Sequence, residues 1–246
     1  MTGSDRVEVV DGLVRRPAQT WTPTVHRLLV HLGGRLPGSV PRPVAVDGSV
    51  EVVSFLPGAA GADCWPAQAT DVGLASFARL LRRVHDASRD HVPGPEAEWA
   101  TPTVEPAEVV CHGDPGPWNV VWRGGEAVGL LDWDLAHLGP VLDDVAYALE
   151  QLAPFRSDAE ALRWRGFTAR PDRPHRIRVF LAAYGWTGTE DLVDAVVARQ
   201  RATVDRVRHL AGRGVEPQVT WVRDGHLEEL AERVRWSETH RHLLSP

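Results

Sequence analysis

Lysine is missing from this chain: all 27 of its basic residues are arginine. A compositional bias toward arginine accounts for most of this. Its consequence is that any fixed cation must be a planar guanidinium rather than a flexible ammonium. Cysteine is nearly missing too. Cys64 and Cys111 stand at no metal-ligand spacing, which excludes a disulfide framework and a zinc site. No apolar run reaches membrane-spanning length, and Met1 to Arg16 lacks the basic-then-apolar order of a signal peptide, so a cytoplasmic protein with no membrane partner is expected. The net charge of -6 argues against a nucleic-acid partner and is compatible with a cationic small molecule. No G-x-G-x-x-G occurs, and no internal repeat. The oligomeric state is not legible.

What is present suffices for a substantial core. At 246 residues and 43% hydrophobic, the chain can form one large domain or two lobes. Residues 7–16 read as a hairpin around Asp11-Gly12, a pair suited to a two-residue turn with positive φ. Thr22 as cap and Pro23 in the first turn open a helix that Gly33-Gly34 should end near Leu32. Pro43 to Val46 and Val50 to Phe55 read as strands around Asp47-Gly48. A helix from Asp71 to His85 carries Leu74, Phe77, Leu81 and Val84 at helical spacing. Short strands are expected at Glu108 to Cys111, Val120 to Trp122 and Ala127 to Leu131. Helices follow at about 142–152, 174–184, 189–211 and 218–244. The order is a small strand-rich first part, 1–58, and a mainly helical second part, 59–246, hence an α+β class.

The chemistry concentrates in His112-Gly113-Asp114, Asn119 and Leu130-Leu131-Asp132-Trp133-Asp134. An aspartate able to take a hydroxyl proton stands five residues before an asparagine whose amide oxygen can bind a hard cation. An acidic pair at the end of an apolar strand can bind the same cation. Phosphoryl transfer from a nucleotide needs these parts, because its transition state is mostly charge on oxygens.

This pattern resembles the catalytic and metal loops of the kinase-like fold. With Asp132-Trp133-Asp134, it is closest to the aminoglycoside phosphotransferase family, which includes choline kinase-like enzymes. Leu80 to His85, Asp144-Val145-Ala146 and Tyr184-Gly185 extend the likeness. The resemblance implies a bilobal protein kinase-like fold and an O-phosphotransferase that moves the γ-phosphate of ATP or GTP to an acceptor hydroxyl. It implies Asp114 as base, Asn119 and Asp132 on Mg2+, and His112 and Asp144 as supports of the catalytic loop, with Asp143 competing for the role of Asp144. Asp134 is a second metal ligand, an acceptor contact or a turn cap. Trp118 shapes the acceptor pocket or simply packs, and Trp133 fills the core.

The first part departs from the family. The lysine and the glycine-rich loop are missing, and Val25 stands where the family carries a helix glutamate, with His26 as the nearby polar residue. Arg15 takes the position of the strand cation, with Arg16 its nearest rival. Residues 52–58 match the hinge, so Val53 and Phe55 are nucleotide-binding candidates. Asp158, Glu160, Asp191, Asp194, Glu228 and Glu229 are possible contacts to a cationic acceptor. Two other readings stand beside the kinase: a kinase-like nucleotide-binding protein without catalysis, and a metal-dependent hydrolase in which His112, Asp114, Asp132 and Asp134 hold a metal pair.

Overall fold

The computed structural model describes residues 7–244. The chain opens with β1 (Glu8–Val10) and β2 (Leu13–Pro17), joined through Asp11 and Gly12, both at positive φ as a tight hairpin turn requires. Helix α1 (Thr22–Arg35) precedes a second hairpin, β3 (Pro43–Asp47) and β4 (Val50–Ser54). The four strands form an antiparallel sheet in the order β1-β2-β4-β3, which places Arg16 opposite Glu51. Helix α1 continues through Gly33-Gly34, contrary to the expected stop. Neither glycine needs a left-handed φ there, and the chain turns only at Leu36, before Pro37 and Gly38. Thr22 does not cap this helix; its hydroxyl accepts the N–H of Gln19 instead.

Short α2 (Trp65–Ala69) leads into the long α3 (Asp71–Ser88), capped by the Thr70 hydroxyl on the Gly73 N–H. One face of α3, carrying Leu74, Phe77, Leu81 and Val84, is buried. Two strand pairings then build the platform of the site. β5 (Val109–Cys111) pairs with β8 (His137–Gly139), and β6 (Val120–Arg123) pairs with β7 (Glu126–Leu130). The loop between β5 and β6 and the loop between β7 and β8 emerge side by side, tied by the Leu131 N–H to the Asn119 carbonyl at 2.8 Å.

The remaining chain is helical: α4 (Val141–Leu152), α5 (Asp158–Trp164), α6 (Arg173–Tyr184), α7 (Leu192–Gly212), α8 (Gln218–Arg223) and α9 (His226–Thr239). The single helix expected over 218–244 is broken at Gly225, whose φ of 84° no right-handed helix accepts. One core runs through the molecule, from Leu28 and Leu32 of α1, across Phe77 and Leu81 of α3, to Trp133, Leu149 and Phe180. This is the α+β kinase-like fold, a small strand-rich part ahead of a mainly helical one. Among the described residues no helix is long and apolar enough to cross a membrane.

Leu81 is fully buried, whereas Val72 on the same helix is 62% exposed. Leu81→Ala should cost about 2–5 kcal/mol in urea denaturation through the cavity it leaves, and Val72→Ala should stay within about 0.5 kcal/mol.

Candidate active site

The catalytic loop is built around a backbone constraint. Gly113 has φ 83°, and a Cβ placed there would lie 2.0 Å from the Leu135 carbonyl oxygen, so only glycine lets this loop pass beneath the neighbouring one. Asp144, fully buried on α4, accepts the backbone N–H groups of His112 at 2.6 Å and Gly113 at 2.9 Å. Its carboxylate also meets His85 Nε2 of α3 at 3.1 Å, and His85 Nδ1 meets the Tyr184 hydroxyl at 2.7 Å. Burial pushes the Asp144 carboxyl upward, but His85 outweighs it and holds the group below the usual carboxylate range. The adjacent Asp143 faces the other way, onto Arg199, His137 and Arg206. These partners overcome its burial and hold it well below that range. Arg199 and Arg206 of α7 both donate to the Gly113 carbonyl, at 2.9 and 3.2 Å. The loop is thus gripped at its N–H groups by one α4 carboxylate and at its carbonyl by two arginines.

His112 joins the two loops. Its Nδ1 accepts the Asp114 N–H at 3.3 Å, which leaves the proton on Nε2 to be donated to the Leu131 carbonyl at 2.8 Å. Its ring packs on that of Trp133, which is buried and fills the core behind the acidic pair. With both nitrogens engaged, His112 offers no lone pair to a metal, and the hydrolase arrangement loses its histidine ligand.

Asp114 looks into a cavity of about 550 Å3. Its Oδ2 accepts from Trp118 Nε1 and Asn119 Nδ2, each at 3.0 Å. Its Oδ1 has no hydrogen-bond partner among the described residues, and burial leaves the group above the ordinary aspartate value in spite of the Trp118 donor and the nearby Tyr147 phenol. Asn119 donates a second time to the Asp114 carbonyl, so its amide nitrogen is committed and its oxygen is left for another partner. Asp132 sits at φ 55°, a conformation rare for a residue with a side chain, and its carboxylate is 53% exposed.

Arg16 closes the arrangement from the sheet. One guanidinium nitrogen donates to Asp132 at 2.8 Å, another donates to Asp134 at 2.9 Å, and Nε donates to Glu51 at 2.5 Å. Arg15 does not take this place. Adjacent strand residues point to opposite faces, and Arg15 is exposed on the other one. Glu51, 1% exposed, is also met by His26 Nε2 at 2.8 Å, and together His26 and Arg16 hold its carboxyl low against the pull of burial. The carboxylate partner of the strand cation therefore comes from β4, not from α1. Its only sequence signal is the hairpin register, which a linear reading does not carry.

Burial lifts Asp134 to about 7 against the pull of Arg16, with Asp132 and Glu51 adding to the rise. Asp132 and Asp134, bridged by one guanidinium, and the Asn119 amide oxygen are oxygen donors of the kind a hard divalent ion such as Mg2+ takes.

The hinge residues are placed differently from the expectation. The Phe55 N–H is donated to the Gly12 carbonyl at 2.9 Å, and Val53 is paired inside the sheet with Val14 and Pro43. The donor that Phe55 was expected to offer a base is therefore occupied by the first hairpin. The six acids considered for a cationic acceptor do not line the cavity. Asp158 pairs with Arg170 and Arg173, Asp194 with Arg241, and Glu228 with Arg235. Asp191 caps α7, Glu160 bonds to Ser157, and Glu229 meets His226. Tyr147 was missed as a site residue, although it stands one helical turn after Asp143 on the face that carries the loop supports.

Fold and site together define a kinase-like phosphotransferase architecture. Residues 94–192 match the phosphotransferase enzyme family. The trifolitoxin immunity protein of Rhizobium leguminosarum bv. trifolii is 33% identical over 196 residues, 75% of this chain and 73% of that one. Two solved structures share the fold. A candidate aminoglycoside phosphotransferase from Ralstonia eutropha JMP134 aligns with a TM-score of 0.60 at 15% identity, over 95% of this chain and 88% of that one. The GDP and kanamycin complex of APH(2")-IIIa aligns with a TM-score of 0.55 at 12% identity, over 96% and 89%. The chain belongs to the phosphotransferase enzyme family.

Asp144→Asn should lower stability by about 3–5 kcal/mol, because two buried N–H donors lose a charged acceptor. The pH dependence has a defined sign. Asp143 and Asp144 have folded-state values below their unfolded ones. Their contribution is therefore complete above the unfolded value near about 4 and is lost as the pH falls below it. Urea denaturation from neutral to acid pH should show this loss in the wild type and a shallower acid limb in Asp144→Asn.

Proposed function

We propose that this protein is an O-phosphotransferase that moves the γ-phosphate of ATP or GTP to the hydroxyl of a small molecule in the cytoplasm. Residues 1–58 form its nucleotide-side lobe, and residues 59–246 carry the catalytic and metal loops. What supports the reading is that Asp114, Asp132 and Asp134 line one cavity, with Asn119 bonded to Asp114 and Arg16 bonded to both metal-loop acids. The GDP and kanamycin complex of a protein of the same fold is in keeping with a nucleotide and a small acceptor as partners.

In the proposed reaction the acceptor hydroxyl approaches Asp114, which takes its proton as the oxygen bonds to the γ-phosphorus. The bond from that phosphorus to the bridging oxygen breaks, and a nucleoside diphosphate leaves. Trp118 and Asn119 hold Asp114 in position by donating to its other oxygen. Asp132, Asp134 and the Asn119 amide oxygen would hold Mg2+. When bound, this ion neutralises charge on the phosphates. Arg16 supplies, as a planar fork, the positive charge that a lysine provides elsewhere in the family, and Glu51 with His26 orients it.

One observation favours a second reading. Arg16 sits on both carboxylates that the metal would need. An inert nucleotide-binding protein could keep that contact permanently, whereas an enzyme must exchange it for metal and phosphate. Incubation with labelled ATP or GTP, Mg2+ and a broad set of alcohols separates the two. Stoichiometric phosphorylated product is expected, and its absence across the set sinks the enzyme. Asp114→Ala should lower the transfer rate by about 10²–10⁴-fold while nucleotide affinity stays within a few-fold. Arg16→Ala should instead weaken nucleotide affinity.

A further inference from the structure

The cavity beside Asp114 carries a charge pattern that the chemistry at Asp114 does not use. Apart from the catalytic and metal-loop acids, its wall offers a single carboxylate, Glu216, whose Oε2 already accepts the Thr220 N–H. Arginines are plentiful. Arg199 and Arg206 are held on Asp143 and the Gly113 carbonyl, but Arg165 and Arg233 belong to a separate group. Arg165 lies 5.3 Å from the ring of Trp118 and 5.4 Å from that of Trp65, so a single indole separates its guanidinium from the catalytic carboxylate. Behind it, Arg156 is almost fully buried. Arg156 and Arg165 both donate to the same Gln151 oxygen, at 2.8 and 3.2 Å.

Arg165 and Arg233 therefore line the cavity, with Arg156 behind Arg165. Glu150 stands 3.9 Å from Arg156, and among the described residues the Arg156 Nε–H has no partner. Arg233 makes no hydrogen bond or ion pair among the described residues. Burial and repulsion by Arg165 and Arg233 drive Arg156 down to about 9, a cost that an incoming anion would relieve. The rest of the wall is aromatic and aliphatic, with Trp118, Tyr147, Trp221, Leu210 and Leu230. Gln218 adds a buried amide oxygen without a partner, placed to accept a ligand N–H or O–H.

We propose that the acceptor side of this cavity selects an oxyanion-bearing alcohol with an apolar or aromatic body, gripped by Arg165 and Arg233, and rejects polycationic acceptors. The proposal rests on reading this cavity as the acceptor site of a phosphotransferase, and it names the class of acceptor. A carboxylate and a phosphate ester share the relevant chemistry, since either meets a guanidinium fork in the same way. Away from the catalytic and metal-loop acids, a polyamine would meet Arg165 and Arg233 with like charge and find one carboxylate, Glu216, already engaged.

The test uses probes matched in size and opposite in charge. Isothermal titration of the full chain, with Mg2+ and a non-hydrolysable ATP analogue, would compare p-hydroxyphenylacetate, tyramine and kanamycin. The acid is expected to bind at least about tenfold more tightly than tyramine. Arg233→Gln should remove about that factor for the acid alone, and Arg233→Lys should restore part of it. Circular dichroism verifies that each variant folds, and Arg233, only partly buried and without an ion pair among the described residues, is a tolerant position for the change. Tighter binding of tyramine or kanamycin, no heat from the acid at about millimolar concentration, or an unaltered affinity in folded Arg233→Gln overturns the proposal. Binding heat requires no turnover. Bound acid without product phosphate in the matching ATP assay therefore supports the anion site and retires the catalytic reading alone, whereas transfer confined to cationic alcohols retires the anion site alone.

Discussion

The buried carboxylate of Asp144 is the constraint on which the rest of the site depends. It accepts two consecutive backbone N–H groups of the catalytic loop and reaches through His85 to Tyr184, so α3, α4, α6 and the loop share one polar junction inside an apolar core. A carboxylate this deep in a protein is tolerated only when its lone pairs are satisfied by donors, and here the donors are the groups whose positions matter. Once the loop is held, Gly113 passes under Leu135, His112 bonds to Leu131, and Asp114 is presented to the cavity.

A second junction lies on the sheet side. Arg16, Glu51 and His26 form a buried charge relay, and its free end reaches the two metal-loop carboxylates. Replacing an ammonium by a guanidinium changes the geometry. A fork can span two carboxylates at once, which a single-point cation does less well. In this chain the carboxylate partner of Arg16 lies on a neighbouring strand, where hairpin register puts Glu51 opposite it. The same guanidinium joins the sheet to the helical part of the fold, so docking of the two and the charge state of the metal loop are coupled.

The cavity separates likeness in fold from likeness in ligand. Relatives at 12–15% identity share the architecture over most of this chain. The wall that would meet an acceptor, by contrast, is formed by side chains from α4, α7, α8 and α9 and by Arg165 just after α5, and in this chain it is rich in arginine and tryptophan. Acidic residues in these helices are numerous in the sequence, yet they pair on the outside with Arg170, Arg235 and Arg241. A count of charges along the chain therefore pointed toward a cationic acceptor. The way the helices turn points the other way.

Much of this was legible before any coordinates. Hairpin turns at Asp11-Gly12 and Asp47-Gly48, the buried face of α3 and the order of strands before helices follow from local rules of turn chemistry and periodicity. The spacing of Asp114, Asn119, Asp132 and Asp134 suffices to place four side chains on two adjacent loops. Other features are relations between distant segments, and no linear pattern encodes them. Which of Arg15 and Arg16 faces the metal loop depends on strand parity against β4. The partner of Arg16 depends on register. The occupied Phe55 N–H depends on the first hairpin folding back over the end of β4. The break at Gly225 and the inward turn of Arg165 and Arg233 depend on how the last helices pack. Local sequence determined the elements and the catalytic spacing, because short-range sterics and hydrogen bonding suffice for those. Only the tertiary structure decided the charge partners, because ion pairs across a core form wherever packing brings opposite charges together, regardless of their separation along the chain.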